Sequence, residues 1–261
     1  MELTLPEIKA IAFEILKHFK RFCNDNGIKF FLSNGTLLGA VKYGGFIPWD
    51  DDVDVFVPRV DYDRLMKLYK DDDRYRLFSS EREPKYRFPF AKLCDMTTMK
   101  EEANVNNGIP LGIEIDIFPL DACTEHMRLP KVQRKHRAYQ LGCMLAKFKS
   151  SKGKSFYKQA IINLCRACGY HFFCKRLTNL VRKESVLGAT FSGCLIWPIY
   201  GAREIVPTEV FSRVVQLSFE GEQFPAPKGY DTYLRSLYGD YWQDPPPEKQ
   251  KSHHNFKAYR L

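Results

Sequence analysis

Internal repeats, low-complexity segments and linker-like stretches are all missing from this sequence of 261 residues. Their absence excludes solenoid and other repeat architectures, and chains made of domains on flexible tethers. A chain of this length buries most of the surface that it exposes when unfolded, so it needs neither disulfides nor a metal ion to fold. With 44% hydrophobic and 27% charged residues, the composition is globular, and we predict one domain over 1–261.

A long apolar segment is missing as well. The longest stretch without a charged residue is Ser185–Ala202, and three glycines and a proline interrupt it. A membrane-spanning helix needs about 20 predominantly apolar residues, so this stretch is better interpreted as buried loop and strand. Near the N-terminus, Glu2, Glu7 and Glu14 break any apolar run. We therefore expect no secretory signal peptide.

The eight cysteines are expected to be reduced thiols in a cytoplasmic protein, because no secretory signal is predicted. Cys165 and Cys168, with His171 and Cys174 nearby, have a spacing that resembles a zinc site. This segment is predicted as a helix, in which Cys165 and Cys174 face opposite sides. One helix cannot place four ligands around a tetrahedral ion. Packed core thiols are the better interpretation.

Acidic residues are absent from one long segment. Residues 131–183 contain 14 basic residues and no acidic one, whereas residues 1–130 have a net charge of −4 and residues 184–261 of −1. The formal charge of +9 therefore comes from one basic block. A high overall charge favours nucleic-acid binding, but a mildly acidic chain with one basic block does not. We expect no nucleic-acid partner.

The basic block is predicted to be helical, with helices over 128–150 and 155–183. An apolar stripe with basic residues around it follows the second of these: Tyr157, Ile161, Leu164, Cys168 and Phe172. Helices that lie in a membrane interface have this pattern, and so do core-facing helices with a solvated basic side. Both interpretations stay open. A non-enzymatic protein that binds anionic membranes through 131–183 is one alternative function.

Two segments carry acidic residues at alternate positions. In a strand, alternate residues share a face, so 50–57 is predicted as a strand with an acidic face and a valine face. The acidic face holds Asp50, Asp52 and Asp54, and the valine face holds Val53, Val55 and Val57. In 111–118, Glu114 and Asp116 alternate in the same way with three isoleucines. Each strand is thus predicted to pack its aliphatic face on a core.

These acids are candidates for a metal site. Carboxylates held close together repel one another and raise each other's pKa values unless a cation lies among them. If the two strands lie side by side, their oxygens form the hard donor set that Mg²⁺ (or Mn²⁺) prefers. An isolated Asp-x-Asp is more often simply solvated. Here a second acidic strand favours a site.

The turn Ser33–Thr36 lies just upstream, between a short strand over 28–32 and a helical segment. Backbone N–H groups and hydroxyls at such a turn can bind a phosphate. The order of strand, Gly-Thr turn, helix, acidic strand and later carboxylate is that of a nucleotidyltransferase. A glycosyltransferase that uses Asp-x-Asp and a divalent ion is an alternative, although the Gly-Thr turn argues against it.

Several strings resemble the LicD family, which groups bacterial phosphorylcholine transferases with eukaryotic fukutin-type phosphotransferases. The strongest are FLSNGTLLGAVK at 31–42 and GFIPWDDDVD at 45–54, followed by AKLCD at 91–95 and IDIFPLD at 115–121. The resemblance is strong over 28–121 and moderate over 219–247, and the basic block has no motif that aligns. Lys42 stands where the family often has Arg, which keeps the charge but loses the planar fork.

The resemblance implies an α+β fold: a nucleotidyltransferase-type mixed sheet flanked by helices, with a helical second half. In this fold 28–121 is the catalytic core, 131–183 a basic helical segment and 203–261 a C-terminal segment. It also implies metal-dependent transfer of a phosphorylated alcohol, typically phosphocholine from CDP-choline, to a sugar hydroxyl. The acceptor would be a cell-surface glycan such as a teichoic-acid or lipopolysaccharide precursor. Because such acceptors are often lipid-linked, we expect a cytoplasmic enzyme that is peripheral on the inner membrane face.

The family's motifs assign expected roles to single residues. Asp50, Asp52, Asp54 and Asp116 match its acidic motif and later carboxylate and are expected to bind the metal, with Asp52, Asp54 and Asp116 catalytic. The candidates for phosphate contacts are Gly35, Thr36, Lys42 and Lys92. A quaternary ammonium group would need an aromatic cage, for which the candidates are Tyr43, Trp49, Tyr238, Tyr241 and Trp242. The roles of Asp240, His253 and His254 stay open.

Overall fold

The structure, a computed structural model, describes residues 1–186, 188–252 and 256–261. Its helices are α1 (Leu5–Asp25), α2 (Asn34–Tyr43), α3 (Arg59–Leu68), α4 (Pro130–Ala146), α5 (Phe156–Cys168), α6 (Tyr170–Glu184) and α7 (Tyr230–Tyr238). Its strands are β1 (Phe31–Leu32), β2 (Asp54–Pro58), β3 (Tyr75–Phe78), β4 (Ala91–Glu102), β5 (Leu111–Cys123), β6 (Phe191–Gly193), β7 (Val206–Pro207), β8 (Val214–Phe219), β9 (Glu222–Pro227) and β10 (Phe256–Arg260). His253 and His254 lie outside the described residues.

Eight of these strands form one mixed sheet, whose main path runs β1-β2-β5-β4-β10. The neighbours β2 and β5 are parallel, whereas β4 pairs antiparallel with β5, β3 and β10. The strands β6 and β7 extend the sheet from the end of β5, and β8 and β9 form a separate hairpin. The predicted α+β class, with a mixed sheet flanked by helices, is confirmed.

Local sequence signals explain where α1 begins and which face it buries. The Glu7 carboxylate accepts hydrogen bonds from the N–H and the hydroxyl of Thr4, at 2.8 and 2.7 Å. This capping box satisfies donors that the first turn leaves without partners. The buried residues recur at helical spacing and include Ile8, Ile15 and Phe19. The helix ends at Asp25, and Gly27 leaves it with a φ of +60°.

Two predicted elements have other bounds in the structure. The segment 155–183 is two helices, because Gly169 has a φ of +81° between α5 and α6, and glycine favours this region. The sequence also predicts a strand over 86–93, but strand β4 begins only at Ala91, after Pro89, which cannot donate to a ladder. The sequence further predicts a helix over 230–238 and a hairpin near 217–224, and both are confirmed, as α7 and as the pair β8 and β9.

The prediction of a regular strand over 50–57 is wrong in its first half. Strand β2 begins at Asp54, and residues 50–53 are irregular. Both faces of β2 are buried, since α2 and α3 pack against it, and β1 and β5 pair with its two edges. Phe56 is therefore as buried as Val55, and Asp54 is buried as well, whereas Asp50 and Asp52 are half-buried.

The larger of two apolar clusters in the described residues draws on the chain from Leu3 to Ala258, and the smaller contains Phe78 and Tyr86. Seven of the eight cysteines are buried free thiols, among them Cys165 and Cys174, and Cys168 is exposed. The uncharged stretch 185–202 forms buried loop and β6 where it is described, as predicted. Across the described residues, no helix combines the length and the apolar character that crossing a membrane requires.

Candidate active site

The two acidic segments meet in the centre of the sheet. Asp54 at the start of β2 lies directly opposite Asp116 on β5, in the parallel register. The aliphatic residues that alternate with them, Val55 and Ile117 among others, are fully buried and pack on the core. Side-by-side packing of the two strands is therefore confirmed, and it places two carboxylates on neighbouring backbones.

Three more carboxylates approach this pair from the irregular segment before β2. Oxygens of Asp50, Asp51 and Asp52 lie within 4.8 Å of one another. Burial raises the pKa of Asp54 well above its usual range, and the charges of Asp52, Asp116 and Asp50 raise it further. The four predicted metal ligands are thus close enough to interact. Asp51 was not predicted, since strand alternation would have pointed it away from the others.

The first turn of α2 is fixed to the start of β2. The Asp54 N–H donates to the Thr36 hydroxyl oxygen at 2.8 Å, and the Ser33 N–H donates to the Asp54 carbonyl at 3.1 Å. Asn34, with a φ of +45°, accepts a hydrogen bond from the Tyr233 hydroxyl at 2.7 Å, and its side chain offsets part of the rise in the pKa of Asp54. Neither Asn34 nor Tyr233 was predicted as a site residue, because their partnership joins distant parts of the chain.

Gly35 lies where the helix comes closest to the acids. A Cβ at this position would lie 2.9 Å from an Asp50 carboxylate oxygen, so any side chain would displace that carboxylate. Gly35 and Thr36 belong to the first turn, whose N–H groups have no carbonyl of a preceding turn to bond. The turn therefore offers donors to an anion next to the carboxylate cluster.

Lys92 lies among the acids rather than apart from them. From β4, its ammonium donates to Asp116 and, at 3.1 Å, to Glu114 on β5, and the Lys92 side chain is only 6% exposed. Lys100 donates to the same Glu114 oxygen at 2.6 Å. Burial alone would raise the pKa of Glu114, but the two lysines lower it to about 2. Glu114, to which the family's motifs assign no role, is thus a buried ion-pair partner of two lysines.

Lys42 lies apart from the carboxylate cluster, at the last turn of α2. Its ammonium donates to the Asp244 carboxylate at 2.6 Å and to the Tyr241 carbonyl at 3.1 Å. Of the four residues predicted to contact phosphate, Gly35, Thr36 and Lys92 are therefore near the acids. Lys42 connects α2 to the C-terminal segment instead.

Three cavities surround these residues. The first, the acidic cavity, has about 410 Å³ and is lined by Asp52, Asp54, Lys92 and Asp116 among others. The second, the aromatic cavity, has about 380 Å³. It is lined by Gly35, Leu38, Lys42, Tyr43, Ile47, Trp49, Asp50, Tyr200, Tyr238, Asp240, Tyr241, Gln243, Asp244 and Pro245. The third is a groove of about 830 Å³ between α4 and residues 197–202.

One loop, residues 197–200, joins the three cavities. Trp197 and Ile199 line both the acidic cavity and the groove, and Tyr200 lines both the aromatic cavity and the groove. Buried Glu204 accepts hydrogen bonds from the N–H groups of Ile199 and Tyr200, at 2.5 and 2.8 Å. Burial raises the pKa of Glu204 to about 7. One buried carboxyl group thus holds the backbone of the loop that contributes walls to all three cavities.

Four of the five predicted cage aromatics, Tyr43, Trp49, Tyr238 and Tyr241, line the aromatic cavity. Trp242 is 53% exposed and does not line it. Tyr200, which was not predicted, does line it, and so does Asp240. Tyr200 lies in a segment that the sequence marks only by its lack of charge, so no local signal identified it.

Carboxylates on adjacent strands beside a helix N-terminus define a nucleotidyltransferase-type site. Residues 27–141 match the family described as LicD/FKTN/FKRP, nucleotidyltransferase domain. The whole chain is similar to the lipopolysaccharide cholinephosphotransferase LicD of Haemophilus influenzae, at 32% identity over 270 residues that cover 100% of this chain and 99% of that protein. The chain belongs to the LicD family and is a transferase, so the non-enzymatic alternative is set aside.

Two shorter similarities cover parts of the chain. An uncharacterized protein of Rickettsia typhi is 38% identical over 58 residues, which are 22% of this chain and 19% of that protein. Mannosyltransferase regulator 4 of Saccharomyces cerevisiae is 29% identical over 121 residues, which are 44% of this chain and 10% of that protein.

Proposed function

We propose that this enzyme, acting as one catalytic domain over 1–261, transfers phosphocholine from CDP-choline to a sugar hydroxyl of a lipopolysaccharide-type glycan. Full-length similarity to a lipopolysaccharide cholinephosphotransferase supports the transferred group and the acceptor. The structural observation that carries the chemistry is the pairing of Asp54 with Asp116 beside the first turn of α2. Charged phosphates and carboxylates can share this position only with a cation between them.

We propose that Asp50, Asp52, Asp54 and Asp116 bind Mg²⁺ or Mn²⁺. The residues fit such an ion, because they offer only carboxylate oxygens, which hard divalent cations prefer. The raised pKa of buried Asp54 indicates that the cluster lacks enough positive charge to balance it. Asp51 is a further candidate, since its carboxylate lies within 4.8 Å of those of Asp50 and Asp52. When bound, the ion would neutralise the donor diphosphate and the leaving CMP.

Side chains and backbone N–H groups of the protein supply the remaining steps. The acceptor hydroxyl oxygen forms a bond to the phosphorus that carries choline, and the bond from that phosphorus to the CMP oxygen breaks. Asp116, with which Lys92 forms an ion pair, takes the hydroxyl proton. Backbone N–H groups of Gly35 and Thr36 bind and orient the donor phosphates. CMP leaves with the electron pair of the broken bond.

The groove beside α4 is our proposed path for the glycan acceptor. It opens from the acidic cavity past Trp197 and Ile199 and is lined by Arg128, Arg134 and Arg137. A phosphorylated or otherwise anionic glycolipid has the charge that complements these arginines. The acceptor hydroxyl would thus arrive at the carboxylate cluster from the side of the basic block.

We further propose that the basic block holds the enzyme on the inner face of an anionic membrane. The predicted apolar stripe faces solvent: Tyr157, Ile161 and Leu164 are 78%, 44% and 66% exposed. The helix α5 packs inward through Ile162 and Cys165 instead. Exposed aromatic and aliphatic residues surrounded by basic residues suit a lipid interface. The core-facing interpretation of this stripe is wrong.

The variant Asp52→Asn tests the chemistry. We expect it to fold normally and to lose CMP release from CDP-choline with Mg²⁺ and acceptor by on the order of 10³-fold, because a charge that stabilises the transition state is lost. Mass spectrometry of the released nucleotide measures this, and UDP-sugars in parallel test glycosyl transfer. Asp73→Asn is the matched control, since Asp73 belongs to another run of three aspartates and is exposed. Unchanged turnover in Asp52→Asn would refute the proposal.

A further inference from the structure

The aromatic cavity contains two edge-to-face ring pairs. The ring centroids of Tyr43 and Trp49 lie 6.3 Å apart with an interplanar angle of 77°. Those of Tyr200 and Tyr238 lie 5.2 Å apart with an angle of 78°. The two pairs come from distant parts of the chain and meet only at this cavity. Packing between neighbours along one element therefore does not explain their convergence.

Carboxylates predominate among the charged residues of the cavity's described lining. Asp50, Asp240 and Asp244 contribute three of them, and Lys42 contributes one ammonium group. That ammonium lies 5.5 Å from the centroid of the Tyr43 ring and 2.6 Å from an Asp244 oxygen. Its position shows that ring and carboxylate together stabilise a cation here. A cavity with aromatic walls and an excess of negative charge is suited to an organic cation.

The cavity also lies at the right place relative to the phosphates. Gly35, whose turn we assign to phosphate binding, lines the cavity, as does Asp50 of the carboxylate cluster. In choline only two carbons separate the nitrogen from the phosphate oxygen. A donor whose phosphates lie at Gly35 and the carboxylates thus places its ammonium group in the adjacent cavity.

We propose that the aromatic cavity is the subsite for the trimethylammonium group of the donor, and that it selects choline over primary amines and neutral alcohols. The proposal rests on the proposed function, since it deepens the donor assignment. A trimethylammonium group has no N–H to donate, so it gains most from ring faces and from nearby negative charge. A primary ammonium group keeps its strong hydration and gains less.

The first experiment compares three donors: CDP-choline, CDP-ethanolamine and CDP-3,3-dimethylbutanol, the neutral isostere of CDP-choline. The variants are Trp49→Leu and Tyr200→Leu, and the second guards against loss of folding in the first, because Tyr200 is 40% exposed. We expect KM for CDP-choline to rise by about 5- to 30-fold and KM for the neutral isostere to stay within about twofold. Trp242→Leu, an exposed tryptophan outside the cavity, is expected to match the wild type with all three donors.

An equal loss with all three donors in both cavity variants would overturn the subsite, because it would show no preference for the cation. A second measurement, calorimetric titration with tetramethylammonium, separates the two proposals. If the wild type releases no CMP from any CDP-alcohol but binds tetramethylammonium, and Trp49→Leu does not bind it, the proposed function fails and the cation site stands. If the wild type is active but tetramethylammonium binds equally to both, the cation site fails and the proposed function stands.

Discussion

The acidic cavity and the basic block carry charges of opposite sign, and they differ in how deeply those charges are buried. The carboxylates of the site are largely buried, and backbone pairing between β2 and β5 fixes their positions. The basic residues of 131–183 lie mostly on exposed faces of α4, α5 and α6. Buried charges cost much free energy unless they are paired, whereas exposed charges cost little. The acidic region therefore depends on fixed positions of its carboxylates and of the cations that pair with them. The basic region attracts anions through many exposed residues, each of which contributes little.

Lys92→Met tests the buried charges of the acidic region and has the largest expected effect. It removes the buried cation between Asp116 and Glu114, so we expect the free energy of unfolding to fall by about 3–5 kcal/mol and CMP release to be lost. Urea denaturation measures the first quantity. Lys257→Met is the control, because Lys257 forms an exposed ion pair with Glu2 at 3.2 Å worth about 1 kcal/mol or less. Equal losses in the free energy of unfolding for the two variants would contradict the difference between buried and exposed charges.

Glu204→Gln examines the loop that connects the two regions. The folded pKa of Glu204, about 7, is above the ordinary value of an unfolded glutamate. The folded state therefore binds more protons between about pH 4.5 and 7, and wild-type stability should fall as pH rises through that window. Glutamine can still accept hydrogen bonds from the N–H groups of Ile199 and Tyr200, but it does not titrate. The variant should therefore lack the fall in stability with rising pH, which in the wild type amounts to at most about 3 kcal/mol. Thermal unfolding of both proteins from pH 4.5 to 8 measures it. Parallel pH profiles would show that Glu204 does not cause the dependence.

Single charge reversals in the basic block should have the smallest effects. We expect Lys158→Glu on α5 to weaken binding to anionic vesicles about 30-fold, since the reversal changes the charge by two units and each unit near such a surface contributes about 1 kcal/mol. Co-sedimentation with anionic and neutral vesicles measures this, and CMP release to a soluble acceptor should not change. Lys228→Glu, an exposed lysine outside the block, is the control. Negligible wild-type binding to both vesicle types would remove the membrane proposal.

Much of the architecture follows from local patterns. The capping box of Thr4 and Glu7 and the spacing of apolar residues predicted α1, and alternation of isoleucines with acids predicted β5. The meeting of Asp54 and Asp116 followed from two half-acidic strands that each needed a core. These signals succeed because they lie within one turn or one strand.

What the sequence did not predict depends on partners far apart in the chain. Tyr233 reaches Asn34 across 199 positions, and β10 pairs with β4 although nothing near 256–260 indicates a strand at the sheet edge. Asp50–Asp52 look like the beginning of β2, yet the ladder starts only at Asp54 because β1 and β5 pair there. Tertiary pairing decides such positions, and periodicity does not encode it.

The loop 197–200 has a consequence for how the two substrates bind together. Because its residues line the aromatic cavity, the acidic cavity and the groove, a ligand that shifts Trp197 or Tyr200 in one changes the wall of another. For the proposed substrates, donor and acceptor affinities would then be linked reciprocally: the factor by which the donor changes the Kd of the acceptor equals the factor by which the acceptor changes the Kd of the donor. Each substrate would thereby change the affinity for the other through a wall that the sites share.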